Sequence, residues 1–249
     1  MRKTRQIRTV ATSLRGAWHK AKNLPCQDCC RSKTKNNKLV AVVSDGAGSA
    51  KYSSIGARIV CETLCDLLVN SDMAHIEKDV IKAITVARDK LLLHRLNKSK
   101  TATGLVDFSA TLVGVFYQHN RGIFFHIGDG AGIAFKQGDY SDFVISEPEN
   151  GAFSCETYFY TMTDWQSCLR FTPFADKNRL MLMTDGVTGF VFSDDFYRIR
   201  QAFLLPVVDY LEKEERSTYA EKVLRNTLED KKAQRLNADD KTIFWAKIS

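Results

Sequence analysis

Between Ser109 and Phe135 the chain passes through three short apolar runs with little between them. Thr111 to Tyr117, Gly122 to Ile127 and Ala131 to Phe135 are rich in β-branched and aromatic residues and are separated only by Asn, Gly and Asp turns. Links this short join antiparallel neighbours, because a parallel pair needs a crossover of a dozen residues or more. Elsewhere the period changes. Leu39 to Val43 reads as a strand that runs into an acidic turn, after which Ile55, Ile59, Leu64, Leu67 and Leu68 recur at helical intervals. A second helical pattern uses Ile76, Val80, Ile84, Ala87, Leu91 and Leu92, followed by a polar linker near Asn97 to Thr103. Strand-like stretches at Phe153 to Tyr160, Arg179 to Met183 and Thr242 to Ile248 enclose helical ones near Phe196 to Leu211 and Tyr219 to Leu228. Strands and helices do not alternate regularly. That excludes a doubly wound or barrel arrangement and predicts an α+β fold, with antiparallel sheets covered by helices on the outside.

At 249 residues, 44% of them hydrophobic, the chain has enough apolar material for one core, so a single domain over 1–249 is expected. No stretch approaches the ~18 apolar residues of a membrane span, and the opening MRKTRQIR lacks the apolar segment of a secretion signal. A soluble protein with no membrane partner is expected. The formal charge of +7 is uneven, because residues 1–38 carry eleven basic side chains against one acid, Asp28, which leaves the rest near −3. A charge confined to one end, without interleaved aromatics, does not describe a nucleic-acid-binding surface. The seven cysteines are an odd number, and Cys26 and Cys29 lack a second pair at metal-ligand spacing. They read as thiols in a reducing, cytoplasmic compartment.

Four short motifs place Asp beside Gly or a second Asp at the end or start of an apolar strand: Asp45-Gly46, Asp129-Gly130, Asp185-Gly186 and Asp239-Asp240. Strand ends are rigid mounts for carboxylates, and an adjacent Gly permits a tight turn and close approach of its own carbonyl. Several carboxylates brought together repel one another, and a divalent cation relieves that repulsion. Hard oxygen donors without His or paired Cys select Mg²⁺ or Mn²⁺.

In order and surroundings these motifs resemble the metal-dependent serine/threonine protein phosphatases of the PPM/PP2C family, particularly compact bacterial members. Val43-Ser44-Asp45-Gly46-Ala47-Gly48-Ser49 is similar to the family's V-x-D-G-x-G-G segment, and Ser109-Ala110-Thr111 to its G-S/A-T segment. Ile127-Gly128-Asp129-Gly130 resembles its G-D-S segment, Leu182 to Val187 its L-x-S/T-D-G segment, and Asp239-Asp240-Lys241-Thr242 its terminal D-N/D-x-T/S motif. The resemblance implies a four-layer α-β-β-α sandwich with two central antiparallel sheets. It implies hydrolysis of phosphoserine and phosphothreonine in proteins by a metal-activated water, with an opposing kinase as a further partner. Two Mn²⁺ or Mg²⁺ ions would be held by Asp45, the Gly46 carbonyl, Asp185 and Asp239, and a weaker third ion would be linked to Asp129. Asp45 and Asp28 take catalytic roles through the metal, Asp28 aligning with the family's early acidic motif.

The sequence departs from the family pattern in four places. Gln27 stands where the early motif has Glu, Ala47 replaces a common His, Gly130 replaces Ser or Cys, and no Arg holds the position used to bind substrate phosphate. Arg15, His19, Lys20 and Lys22 are the local candidates for that last role, and His19 is the expected phosphate contact or general acid. These departures also motivate an alternative, a catalytically weak phosphatase-like module that regulates or binds phosphoproteins. The aromatic-rich stretch Gly189 to Leu211 lies where the family varies beside its active site, but is expected first to pack a helix on the sheet.

Overall fold

A computed structural model of the chain describes residues 6–98, 104–149, 157–193, 196 and 198–249. Two five-stranded antiparallel sheets stack face to face. One has the order β2 (Cys29–Lys35), β3 (Lys38–Ser44), β4 (Leu112–Gln118), β5 (Arg121–Ile127), β8 (Arg170–Ala175). The other has the order β1 (Ile7–Leu14), β10 (Lys241–Ile248), β9 (Arg179–Met183), β6 (Ala131–Lys136), β7 (Asp139–Ser146). β3 is apolar on both faces because both are covered. Its Leu39, Ala41 and Val43 meet Leu182, Phe244 and Ala246 of the opposite sheet, while Val40 and Val42 face α2 (Ser53–Leu68) and α3 (Ile76–Lys98). On the far side, α5 (Gln201–Lys213) and α6 (Ser217–Glu229) place Leu204, Val208, Leu211, Leu224 and Leu228 on Val10, Met181, Ile243 and Trp245. The expected α-β-β-α layering is therefore present. Short helices α1 (Ala17–Ala21), α4 (Asp185–Val191) and α7 (Lys231–Leu236) lie among the loops at the sheet ends.

The basic N-terminal segment is structural to a degree its charge did not suggest. β1 pairs along its whole length with β10, burying Val10, Thr12 and Leu14. Arg8 lies over the Trp245 ring, 5.1 Å from its centroid, and donates to the backbone carbonyls of Leu211 and Glu214. On β2, Arg31 and Lys33 meet Glu62 and Asp66 of α2, and Lys35 meets Asn70 in the turn just after it. Such exposed pairs contribute little stability, roughly 0–1 kcal/mol each, but they locate much of the positive charge on the fold itself.

Further stretches differ from expectation. The short link after β5 is not a hairpin: β6 does not pair with β5 but crosses to the opposite sheet, between β9 and β7. Phe171 to Phe174, in which core or loop-anchor packing rather than a strand is expected, is part of strand β8, whose Pro173 is tolerated because β8 is the sheet's outer strand. β7, whose apolar residues Tyr140, Phe143, Val144 and Ile145 do not alternate regularly with polar ones, is held by pairing with β6. The first half of the expected strand Phe153 to Tyr160 and part of the Asn97 to Thr103 linker lie outside the described residues. From Thr157 to Tyr160 the backbone forms no strand, only a bridge at Thr157.

Candidate active site

Antiparallel register brings the acidic motifs to one edge of the sandwich. Cys29 at the start of β2 pairs with Ser44 at the end of β3, and Leu112 at the start of β4 pairs with Ile127 at the end of β5. Met183 at the end of β9 pairs with both Ala131 and Ile243 near the starts of β6 and β10. Asp28, Asp45, Asp129, Asp185 and Asp239 flank these ends, so residues more than 200 positions apart share one mouth.

Threonine hydroxyls and backbone groups fix the loops. The Asp45 N–H donates to Thr111 Oγ1 at 2.9 Å, and the Thr111 N–H donates to the Asp45 carbonyl at 2.8 Å. Thr184 Oγ1 donates to Asp28 Oδ2 at 2.8 Å and accepts from the Thr242 N–H at 3.0 Å, tying the early motif to both late ones. Thr157 Oγ1 donates to Asp129 Oδ2 at 2.7 Å. Gly186 packs so tightly that a Cβ there would lie 1.8 Å from the Asp240 carbonyl oxygen, and a Cβ at Gly16 would lie 2.3 Å from the Asp239 carbonyl. These two glycines allow the backbones of three motifs to meet. Gly130, one of the departures from the family pattern, has a similar reason: a side chain there would meet the Met183 carbonyl at 2.6 Å.

The carboxylates are left under electrostatic stress. Asp45 and Asp185 are held well above the usual carboxylate range, first by burial and then by repulsion, Asp45 from Asp28, Asp129 and Asp239, and Asp185 from Asp45, Asp129 and Asp239. Burial pushes Asp28 up to about 8, against hydrogen bonds that act in the opposite direction, and Asp129 is raised for the same first reason. One oxygen each of Asp28, Asp129 and Asp185 is buried without a hydrogen-bond partner. Unsatisfied acceptors that repel one another, with no thiolate or imidazole among them, suit a hard divalent cation.

A test of this stress is the pH dependence of the chelator-treated protein. The folded Asp28 keeps its proton to about pH 8, whereas the unfolded chain releases it near the ordinary value of 3.8, so the folded state binds more protons in between. Its contribution to stability is complete below the unfolded value and is lost as pH rises through the folded one. Thermal melts in EDTA should therefore show a melting temperature that falls by roughly 5 °C or more between pH 5 and pH 8, with Mn²⁺ reversing the fall. A flat or rising profile would contradict the crowding of these carboxylates.

His19 sits in α1 with only 2% of its surface exposed. Its Nε2 lies 3.1 Å from Gln27 Oε1, and its Nδ1 lies 2.8 Å from Asp240 Oδ1, an ion-pair distance although out of line for a hydrogen bond. Both ring nitrogens face protein groups, which argues against the phosphate contact or proton donor expected of His19. Asp240 is equally occupied: Oδ1 accepts the Gly16 N–H at 2.7 Å and Oδ2 the Gln27 N–H at 2.6 Å. His19, Asp239 and Asp240 lie close enough to suggest a ligand set by proximity, but two of the three are committed to the protein. Of the other local cations, Arg15 donates to the Leu24 carbonyl, Lys20 pairs with Glu229, and Lys22 lies over the Trp18 ring, 3.9 Å from its centroid. Trp18 and His19 line a cavity of about 620 Å³ with Gly48, Ser49 and Asp239, at the mouth of the carboxylate cluster.

Residues missed from the sequence are Asp240, Thr184 and Thr242. Asp240 is visible there as half of an acidic pair, but nothing local separates the outward acid from the inward one. The aromatic-rich stretch behaves as packing: Phe190 stacks near Phe203 and Phe192 near Phe196, at 5.5 and 5.2 Å between centroids, while Tyr197 lies outside the described residues. Cys26, Cys29, Cys30, Cys61, Cys65 and Cys168 are free thiols. Cys61 and Cys65 donate to the Cys29 and Arg31 carbonyls of β2, on the face that α2 covers.

Comparison with curated protein sequences finds no match. Among solved structures, the serine/threonine phosphatase of Staphylococcus aureus superposes with a TM-score of 0.68 at 13% identity, covering 98% of this chain and 96% of that one. The serine/threonine phosphatase of S. agalactiae gives 0.67 at 13% identity, over 98% and 100% of the chains. The catalytic domain of the serine/threonine protein phosphatase PstP, in complex with two manganese ions, gives 0.60 at 16% identity, over 98% and 99%. These likenesses show the fold. A family model described as protein phosphatase 2C matches residues 15–229, which take in the acidic motifs through Asp185 and stop just short of Asp239. With that match over most of its length, the chain belongs to the protein phosphatase 2C family of metal-dependent protein phosphatases.

Proposed function

We propose that the acidic mouth is the catalytic centre of a Mn²⁺- or Mg²⁺-dependent phosphatase acting on phosphoserine and phosphothreonine in proteins, with the whole chain as its single domain. The observation that carries this reading is the convergence of Asp28, Asp45, Asp129 and Asp185, all raised by burial, with unpartnered oxygens on Asp28, Asp129 and Asp185. Asp45, Asp185, Asp239 and the Gly46 carbonyl would hold two ions, and Asp129 a weaker third. When bound, such ions activate a water toward phosphorus and offset charge on the phosphoryl oxygens. The protein's own part is to keep these carboxylates in place, through Thr111 for Asp45 and Thr184 for Asp28. No cysteine or serine nucleophile is needed. Free thiols fit a reducing, cytoplasmic setting, in which an opposing serine/threonine kinase would supply the substrate. Among the described residues no helix is long and apolar enough to cross a membrane.

Hydrolysis of a phosphothreonine peptide tests the reading. Turnover should require added Mn²⁺ or Mg²⁺, disappear in EDTA and return on restoring the metal. Metal-independent turnover would overturn the proposed chemistry. Absence of turnover on both the peptide and an aryl phosphate, under every metal condition, would favour the regulatory alternative.

A further inference from the structure

The buried pair His19 and Asp240 is used by neither the metal chemistry nor the hydrophobic core, yet it joins the two ends of the chain at the active site. Asp240 draws in the backbone of the N-terminal motif at two points, Gly16 and Gln27, 224 and 213 residues away. His19 closes the third side by contacting Asp240 through one ring nitrogen and the Gln27 side chain through the other. The loop carrying Asp239 is held by the same assembly. The Trp18 N–H donates to the Ala238 carbonyl at 3.0 Å, and Gly16 packs directly on the Asp239 backbone. Buried Lys241 donates to the Asn237 and Asp239 carbonyls at 2.6 and 2.9 Å. Asp239 itself accepts the Asp240 N–H at Oδ1, 2.8 Å away, and its side chain reaches the exposed mouth. Moving His19 or Asp240 would therefore displace Gln27 and Asp28 on one side and Asp239 on the other.

We infer that His19 and Asp240 form a clasp that presets the metal-holding geometry, with His19 a positioning residue and Gln27 its third member. This assigns Gln27 a role at the position where the family pattern has Glu: its amide is turned inward to His19. The inference rests on the phosphatase reading for its kinetic readout but not for its binding readout. Groups that orient metal-holding side chains commonly change affinity by about 10- to 100-fold when removed.

The test combines Mn²⁺ binding isotherms on the full chain with turnover of 4-nitrophenyl phosphate and a phosphothreonine peptide. His19→Ala, verified as folded by circular dichroism, should weaken Mn²⁺ binding about tenfold or more. Turnover should fall by the same factor for both substrates at limiting Mn²⁺ and recover to within about threefold at saturation, because a positioning defect does not depend on the leaving group. Gln27→Ala should weaken Mn²⁺ in the same direction by a smaller factor, and His19→Ala combined with Asp240→Asn should be no weaker than the worse single variant, as expected for groups acting as one unit. Unchanged Mn²⁺ affinity in folded His19→Ala overturns the clasp. So does a loss that persists at saturating Mn²⁺ and is larger for the peptide, whose leaving group needs a proton; that result would return His19 to the general-acid role. If His19→Ala does not fold, His19→Gln takes its place in the same isotherm, where weakened Mn²⁺ binding supports the clasp and unchanged binding overturns it. If the wild type hydrolyses neither substrate, the phosphatase reading fails while the isotherms still decide the clasp.

Discussion

Asp45→Asn should lower kcat/KM on a phosphothreonine peptide by ~10³-fold or more at saturating Mn²⁺, and should at the same time raise the melting temperature of the protein in EDTA. The two effects have one cause. Asp45 is repelled by Asp28, Asp129 and Asp239, and it also acts on Asp185. An amide removes that repulsion at almost no change in shape, and its nitrogen can still reach Asp28. The backbone bonds from Asp45 to Thr111 do not depend on the carboxylate, so the loop keeps its position. The amide lacks the charge that draws two cations together, and each tenfold of lost rate corresponds to about 1.4 kcal/mol of transition-state stabilisation. Kinetics at saturating metal and thermal melts in chelator measure the two sides. A variant that is both inactive and less stable would show that Asp45 supports the fold and would remove the electrostatic argument.

Gly186→Ala should be severely damaging. The added carbon would sit 1.8 Å from the Asp240 carbonyl oxygen, well inside contact distance and against backbone that cannot rotate away. Either α4 moves, taking Asp185 with it, or the Asp239-Asp240 loop moves. A loss of about 3 kcal/mol is expected, a melting temperature lower by roughly 6–12 °C for a chain of this size, together with most of the metal-dependent activity. Gly189→Ala is the control. It lies in the same helix, its added Cβ meets nothing within 4 Å, and it should be neutral or more stable by ~0.5–1 kcal/mol. If the two substitutions behave alike, the close approach of α4 to the last acidic motif is not what holds this part of the site.

The acidic residues were legible because their signal is local. An Asp beside Gly or a second Asp at the edge of an apolar run is visible in five consecutive residues, and the order of four such motifs carried the family resemblance. The helical periods of α2 and α3 and the β4–β5 hairpin were visible for the same reason, but the equally short link after β5 was misleading, because it carries the chain across to the opposite sheet, where β6 pairs with β7 and β9. β1 and β2 were not, because edge strands with one polar face in a basic segment read as charge. Arg8 shows the consequence: its guanidinium appears in a sequence as part of a solvated run, but packs on Trp245 and binds two carbonyls. His19 stands out in the sequence by its chemistry and its place before Gln27-Asp28. Its burial between Gln27 and Asp240 depends on a partner 221 positions away, which no local pattern contains.

By itself the sequence determined which residue types sit at the strand ends, and hence that a hard divalent cation is the chemistry this chain is built for. It also determined the antiparallel layering, since hairpin links and helical periods are short-range properties of a polymer. The tertiary structure decided how the two halves of the Asp239-Asp240 pair divide their work. Asp239 reaches the mouth while Asp240 turns inward, because only Asp240 meets the Gly16 and Gln27 N–H groups, and a buried carboxylate is stable only where such donors surround it. That distinction depends on the opposite ends of the chain meeting across β1 and β10, a contact that exists only after folding.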